Sequence, residues 1–208
     1  LWGVTLAVVL FTAGITGLAG VSSDQPVGEV FGLAFQLVVL TVPIIALFLA
    51  KGAITGERES GSLRLMLSFP PSRRDILLGK LVGRTALMLV ATLVGGVATG
   101  LVVVTLLGGG LELLAPFILL LGLMGMSFVA IGVGISAASA SDGRATAAAI
   151  GVYLVFVAMW DLIQVGIRAG AVELGLVEAG SQPAWLQSIG TLPPNQAAVA
   201  AYETAVGG

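Results

Sequence analysis

The sequence predicts an all-α integral membrane protein, and three observations carry that prediction. First, 57% of its 208 residues are hydrophobic and only 10% charged, with a mean hydropathy of +1.09, a composition that cannot supply a water-facing surface for a globule of this size. Second, the apolar residues fall into five stretches near the length of about 20 needed to cross a hydrocarbon layer about 30 Å thick. Third, eight of the nine Lys and Arg residues sit in or beside two short polar segments between those stretches.

The spans are expected at 1–19, 31–50, 78–107, 113–136 and 145–167 of a single transmembrane domain covering 1–208. The first lacks the basic n-region of a signal peptide, and the chain begins at Leu1. Pro43 lies inside the second and predicts a kink. The third exceeds the length of a bare span, so it should tilt or project at its Lys80/Arg84 end. Small residues four apart, Gly28/Gly32, Gly79/Gly83, Gly96/Gly100 and Gly166/Gly170, would allow close helix contact in lipid. Trp2 and Trp160 would sit at opposite interfaces as parts of an aromatic belt.

Charge gives the orientation. Segment 51–84 holds Lys51, Arg58, Arg64, Arg73, Arg74, Lys80 and Arg84, and 137–145 holds Arg144, whereas 20–30 and 108–112 carry only acidic residues. The positive-inside rule places 51–78 and 137–145 in the cytoplasm and the other connections outside. Five spans then leave the start inside and the end outside. A cytoplasmic N-terminal piece and a sixth span are therefore expected beyond this fragment. The outer segment 168–208 is broken by Pro183, Pro193 and Pro194, with Asn195 positioned to cap a short helix through Tyr202 at the outer surface.

Several chemistries are excluded. Cysteine and histidine are both absent, which removes disulfides, thiolate chemistry and imidazole-based catalysis or metal binding. The net charge of −2 argues against a nucleic-acid-binding face. Gly79-Lys80 lacks the upstream glycine of a phosphate-binding loop. Met66, Met88, Met124, Met126 and Met159 are too scattered for a thioether metal relay. Spans one to four carry no ionisable residue at depth, which disfavours an ion-coupled carrier. In span five, Asp161, Gln164 and Arg168 share one helix face. They line an outer vestibule or snorkel to the interface beside Trp160.

The loop 51–77 is the one stretch rich in polar chemistry. Leu63, Met66 and Leu67 have i, i+3, i+4 spacing, predicting a short amphipathic helix over 62–68 that Pro70-Pro71 ends. Ser72 with Asp75 three residues on predicts a capping box that starts span three. A compact amphipathic element flanked by Glu57, Arg58 and Glu59 has the form of something that docks into a groove on another protein. The alternative is a loop whose charges merely fix topology.

The run Glu57-Arg58-Glu59-Ser60-Gly61-Ser62-Leu63, followed by Leu65-Met66-Leu67-Ser68-Phe69-Pro70 and Ile76-Leu77-Leu78-Gly79-Lys80, resembles the signature after the second span in permease subunits of ABC-2 type ABC transporters. The similarity extends to the subgroup associated with copper-enzyme maturation, although no residue here supports copper as a cargo. The resemblance implies an ABC-2 type transmembrane domain with six spans, a multi-pass location in the plasma membrane, and a coupling helix in 51–77. That helix would contact a separate cytoplasmic ATPase through Glu57, Arg58, Glu59, Gly61, Leu63, Met66 and Leu67. It further implies that ATP and Mg are bound by that partner, that this chain has no cofactor and no enzymatic activity of its own, and that a second permease subunit completes the path through the bilayer. A non-transporting scaffold that anchors a cytoplasmic partner through the same loop is the rival reading.

Overall fold

A computed structural model describes residue 14 and residues 27–60, 72–178 and 180–206. The expected first span, most of the segment 20–30 and the short helix over 62–68, with Gly61, Leu63, Met66 and Leu67, lie outside the described residues. The described residues form helices and turns without a strand. Among the described residues three helices are long and apolar enough to cross a membrane, and a fourth crossing is available if one sharply bent pair is counted together.

Helix α1 (Val27–Ala50) presents Phe31, Phe35, Val38, Val42 and Leu47 to the interior. Leu33, Leu40, Ile44 and Phe48 face outward along a single stripe. Thr41 satisfies its hydroxyl within its own helix, on the Leu37 and Val38 carbonyls. After a turn at 51–54 comes the single-turn helix α2 (Thr55–Glu59).

Helix α3 (Arg73–Leu107) starts at the expected capping box. The Asp75 amide donates to Ser72 Oγ at 3.3 Å, and the Ser72 amide donates to Asp75 Oδ2 at 2.8 Å. The Ser72 hydroxyl, donating to Asp75 Oδ2 at 2.7 Å, and after it the Ser72 amide hold the Asp75 carboxyl below the usual carboxylate range. At about 1.5 Å per residue its 35 residues are longer than a bare crossing requires. Helix α4 (Leu111–Ala138) turns back from α3 through Gly108 and Gly110, both at positive φ (72° and 88°), a region that favours glycine. A side chain at Gly110 would also run into Val27 and Phe31.

Helix α4 is the centre of the bundle, packing against both α1 and α3. Of the small-residue pairs, Gly96/Gly100 is spent inside this chain: a methyl at Gly96 would lie 2.7 Å from Ile118 Cγ1, and one at Gly100 would meet the Leu114 side chain. Gly79, Gly83, Gly166 and Gly170 instead look into open space. At the other contact, Gly132 lets α4 approach α1 where a methyl would be 2.7 Å from Ala50 Cβ and 3.2 Å from the Leu47 carbonyl. Such close approach is how apolar helices gain contact where lipid competes for the same surfaces.

The segment expected as one continuous span over 145–167 is broken. Helix α5 (Asp142–Tyr153) runs into a π-helical turn at Leu154–Ala158, and α6 (Trp160–Glu173) leaves it at an angle of 62°. One side chain of this region reaches out to α1, and one from elsewhere meets its backbone. Tyr153 Oη donates to the Leu40 carbonyl of α1 at 3.2 Å, and Asn195 Nδ2 donates to the Phe156 carbonyl at 3.1 Å. Irregular backbone at membrane depth is tolerated where protein groups satisfy it.

Asn195 therefore does not serve as the expected surface cap. It is 2% exposed and belongs to α8 (Pro194–Val206), which packs into the bundle against α4 and α1. Tyr202 stacks on Phe35 with ring centres 4.4 Å apart and planes 9° from parallel, while Phe117 meets Phe31 and Phe35 edge-on. Trp160 departs from its expected role as well. It is buried, edge-on to Phe156, and its indole N–H donates at 3.0 Å to the Gly190 carbonyl at the end of α7 (Ala184–Gly190). The indole thus packs inside the protein instead of marking a lipid interface.

Candidate functional site

The polar residues of the described chain gather at two places, at the two ends of the α5–α6 arm. The first begins where α1 stops. Ile54, which precedes α2, offers no side-chain cap, so the amides that open this short helix need acceptors from elsewhere. Ser136 of α4 supplies one: its Oγ accepts from the Ile54 amide at 2.9 Å and the Thr55 amide at 3.1 Å. Both Ser136 and Thr55 are fully buried.

Asp142, the first residue of α5, is the hub. Its Oδ2 receives Lys51 Nζ at 2.7 Å, and its Oδ1 lies 3.1 Å from Thr55 Oγ1. The hydroxyl of Thr55 is at the same distance from the Lys51 carbonyl, and its single proton serves one acceptor at a time. Lys51 makes a second 2.7 Å bond to Thr146 Oγ1 and lies 5.9 Å from the Phe48 ring centre. The Asp142 carboxyl is held below the usual carboxylate range, chiefly by the Lys51 hydrogen bond, which outweighs the opposing effect of burial, with the Thr55 hydroxyl and the lysine charge adding smaller contributions.

The three charged residues singled out in the connection 51–77 lie beside this hub, each held by another part of the chain. Glu57 forms an ion pair with Lys80 of α3. Arg58 Nη1 donates to the Ser139 carbonyl at 2.5 Å. Glu59 Oε1 accepts from the Asp142 amide at 2.7 Å, placing a carboxylate at the N-terminus of α5, where the helix dipole favours it. Sequence reasoning found Glu57, Arg58 and Glu59 but missed Lys51, Thr55, Ser136, Asp142 and Thr146. The available signal was the acidic Asp142 beside Arg144 in a connection expected to be basic.

At the other end, Asp161, Gln164 and Arg168 line an open cleft of ≈480 Å³ between α6, α7 and α8, together with Gln187, Gln196 and Glu203. Gln196 Nε2 donates to Asp161 Oδ1 at 3.1 Å, and Arg168 Nη2 donates to the Ser181 carbonyl at 3.3 Å. The walls mix amides and charges of both signs with Val165, Leu186 and Val199. Such a lining can hydrogen-bond a polar group and pack an apolar one. Among the described residues no three carboxylates, histidines or cysteines converge as metal ligands.

Comparison with known proteins adds sequence relationships to this geometry. The family model described as ABC-2 family transporter protein matches residues 4–208. A probable ABC transporter permease protein NosY from Stutzerimonas stutzeri is 32% identical over 173 residues, covering 78% of this chain and 62% of the relative. A protein of the same description from Pseudomonas aeruginosa is 31% identical over 176 residues, covering 80% of this chain and 64% of its own length. The chain thus spans a little under two thirds of these curated relatives.

Proposed function

The chain belongs to the ABC-2 family of transporter proteins and is a multi-pass protein of the plasma membrane, and from that premise we propose that it is the permease part of an ATP-driven transporter coupled to a separate nucleotide-binding subunit. A cytoplasmic ATPase binds ATP and Mg, docks on the connection 51–77, and pushes it as its own subunits close. The permease carries no hydrolytic chemistry and pairs with a second permease subunit to enclose the path. The cleft of Asp161, Gln164 and Arg168 is the outer vestibule of that path.

The observation that carries the reading is the position of Glu57-Arg58-Glu59. The triad follows a 24-residue apolar helix after one short turn, and its side chains reach α3, the end of α4 and the start of α5. A push on so short an element reaches three helices through one or two bonds each. Energy transfer by mechanical displacement of packed elements needs a connection of this kind.

The test is co-purification of the full-length permease with its ATPase, followed by ATP turnover and transport with Glu57→Ala and Arg58→Ala combined. The expected result is an assembled complex that hydrolyses ATP without transport. Unchanged transport would remove the coupling role. One observation favours the scaffold alternative: the three charged side chains are held within the chain, which suits a rigid anchoring ledge as well as a moving one. An ATPase that binds the permease yet hydrolyses ATP indifferently to these substitutions, with no cargo moved by the intact complex, would establish the scaffold.

A further inference from the structure

We infer that the two cytoplasmic connections, 51–60 and 139–146, form one rigid body pinned by Asp142, so that a force on α2 swings α5 directly and reaches the outer cleft through the π turn. The inference deepens the ATPase-driven reading and rests on it for the origin of the force. The rigid body itself requires no partner.

Five separate links join the two connections across 81 to 95 residues of sequence: Lys51 to Asp142 and Thr146, Thr55 to Asp142, Arg58 to the Ser139 carbonyl, and Glu59 to the Asp142 amide. A sixth contact, Ser136 Oγ to the Ile54 and Thr55 amides, fixes the start of α2 on the end of α4. All five links have an ionised donor or acceptor, the stronger kind of hydrogen bond, and Lys51, Thr55 and Ser136 are wholly or largely shielded from solvent. Separating the connections would leave Lys51 and two backbone amides without these acceptors in a sheltered place, which is costly. Among the described residues, α2 meets α3 through the ion pair of Glu57 with Lys80.

Force applied to α2 therefore has two exits. One runs through Lys80 into α3. The better-bonded one enters α5 at its first residue. Helix α5 is a 12-residue lever that ends at the π turn and the 62° bend, beyond which α6 carries Asp161, Gln164 and Arg168. Asp142 is thus a positioning residue: it touches no cargo, and it keeps the lever attached to the element that is pushed.

Two experiments decide this. Hydrogen exchange on the full-length permease alone, in a bilayer disc, reports whether the connections open together. Asp142→Ala is expected to speed exchange about tenfold both at the Ile54 and Thr55 amides and at the start of α5, because local opening follows the shared contacts. Asp142→Glu, which keeps the charge, should restore protection at both. Faster exchange confined to 142–146 would overturn the rigid body. The second experiment uses the absence of cysteine. Thr55→Cys with Ser136→Cys replaces two hydroxyl oxygens 3.4 Å apart, one in the first connection and one on α4 just before the second, and oxidising this variant should leave its transport and ATP turnover within about twofold of those of its own reduced form, since elements that move as one lose nothing by being joined. Reversible loss of transport on oxidation, regained on reduction, would show that the connections part during the cycle and overturn the inference. If no ATPase partner exists, the proposed function fails, while the exchange result on the permease alone still decides the rigid body.

Discussion

At its start α5 is held by Lys51, Thr55 and Glu59, a pair of opposite charges and their neighbours, with Lys51 only 17% exposed. Beyond the π turn, α6 meets α7 and α8 through Trp160 to Gly190 in the interior, and through Asp161 to Gln196 and Arg168 to Ser181 at the exposed rim. The same arm is thus clamped at one end by the partly buried bonds of Lys51 and Thr55 with the exposed one of Glu59 beside them, and at the other by one interior bond and two exposed ones. Exposed pairs contribute little because water competes for both partners. The difference teaches where such a molecule can move at small cost: the Asp142 end is the firmer of the two, and the cleft end gives way more readily.

Substitutions can break or sharpen that contrast. The largest effect is expected at Tyr202, whose ring fixes α8 on Phe35. Tyr202→Ala should lower stability by about 2–3 kcal/mol through lost ring contacts and the cavity left behind, read as a fall in melting temperature in detergent. A negligible change would mean that α8 is held elsewhere. Asp142→Ala comes next, at about 1–2 kcal/mol for a charge-assisted bond discounted for the exposure of the carboxylate, by the same measurement. If it cost less than an outer-rim substitution, the contrast between the two ends would fail.

Acid tests the same clamp without mutation. Because the Asp142 carboxyl titrates lower folded than unfolded, its contribution is complete above the unfolded value near 3.9 and is lost as pH falls below that value through the folded one. Thermal stability of the wild type should therefore drop further between pH 5 and pH 3 than that of Asp142→Ala. Identical acid profiles would detach Asp142 from the effect. The smallest change is expected at the outer rim, where Asp161→Asn should stay within about 0.5 kcal/mol of the wild type while altering cargo binding if the cleft is the vestibule.

Much of the transmembrane plan was legible because its causes are local. The apolar runs at 31–50, 78–107 and 113–136 reappear as α1, α3 and α4 with ends displaced by a few residues, and Ser72 and Asp75 cap α3 as their spacing requires. The break at Met159 was not legible. Leu154 to Ala158 contains neither Pro nor Gly, and the carbonyl of Phe156 is met by Asn195, 39 residues later. For the same reason Asn195, which reads locally as a cap, is occupied in the interior. The hub at Asp142 was hidden twice over: Lys51 is 91 residues away, and the positive-inside rule already accounts for a lysine there.

The π turn has a consequence for direction as well as for bending. A regular helix rotates by about 100° with each residue, and a turn that closes one residue late, as Leu154 and Met159 do through their 2.8 Å bond, takes up an extra residue of winding. Everything after it is set to a new azimuth. Asp161, Gln164 and Arg168 share a bearing by their own spacing, but that this bearing points at α7 and α8 is fixed upstream, by five residues that carry no polar side chain at all.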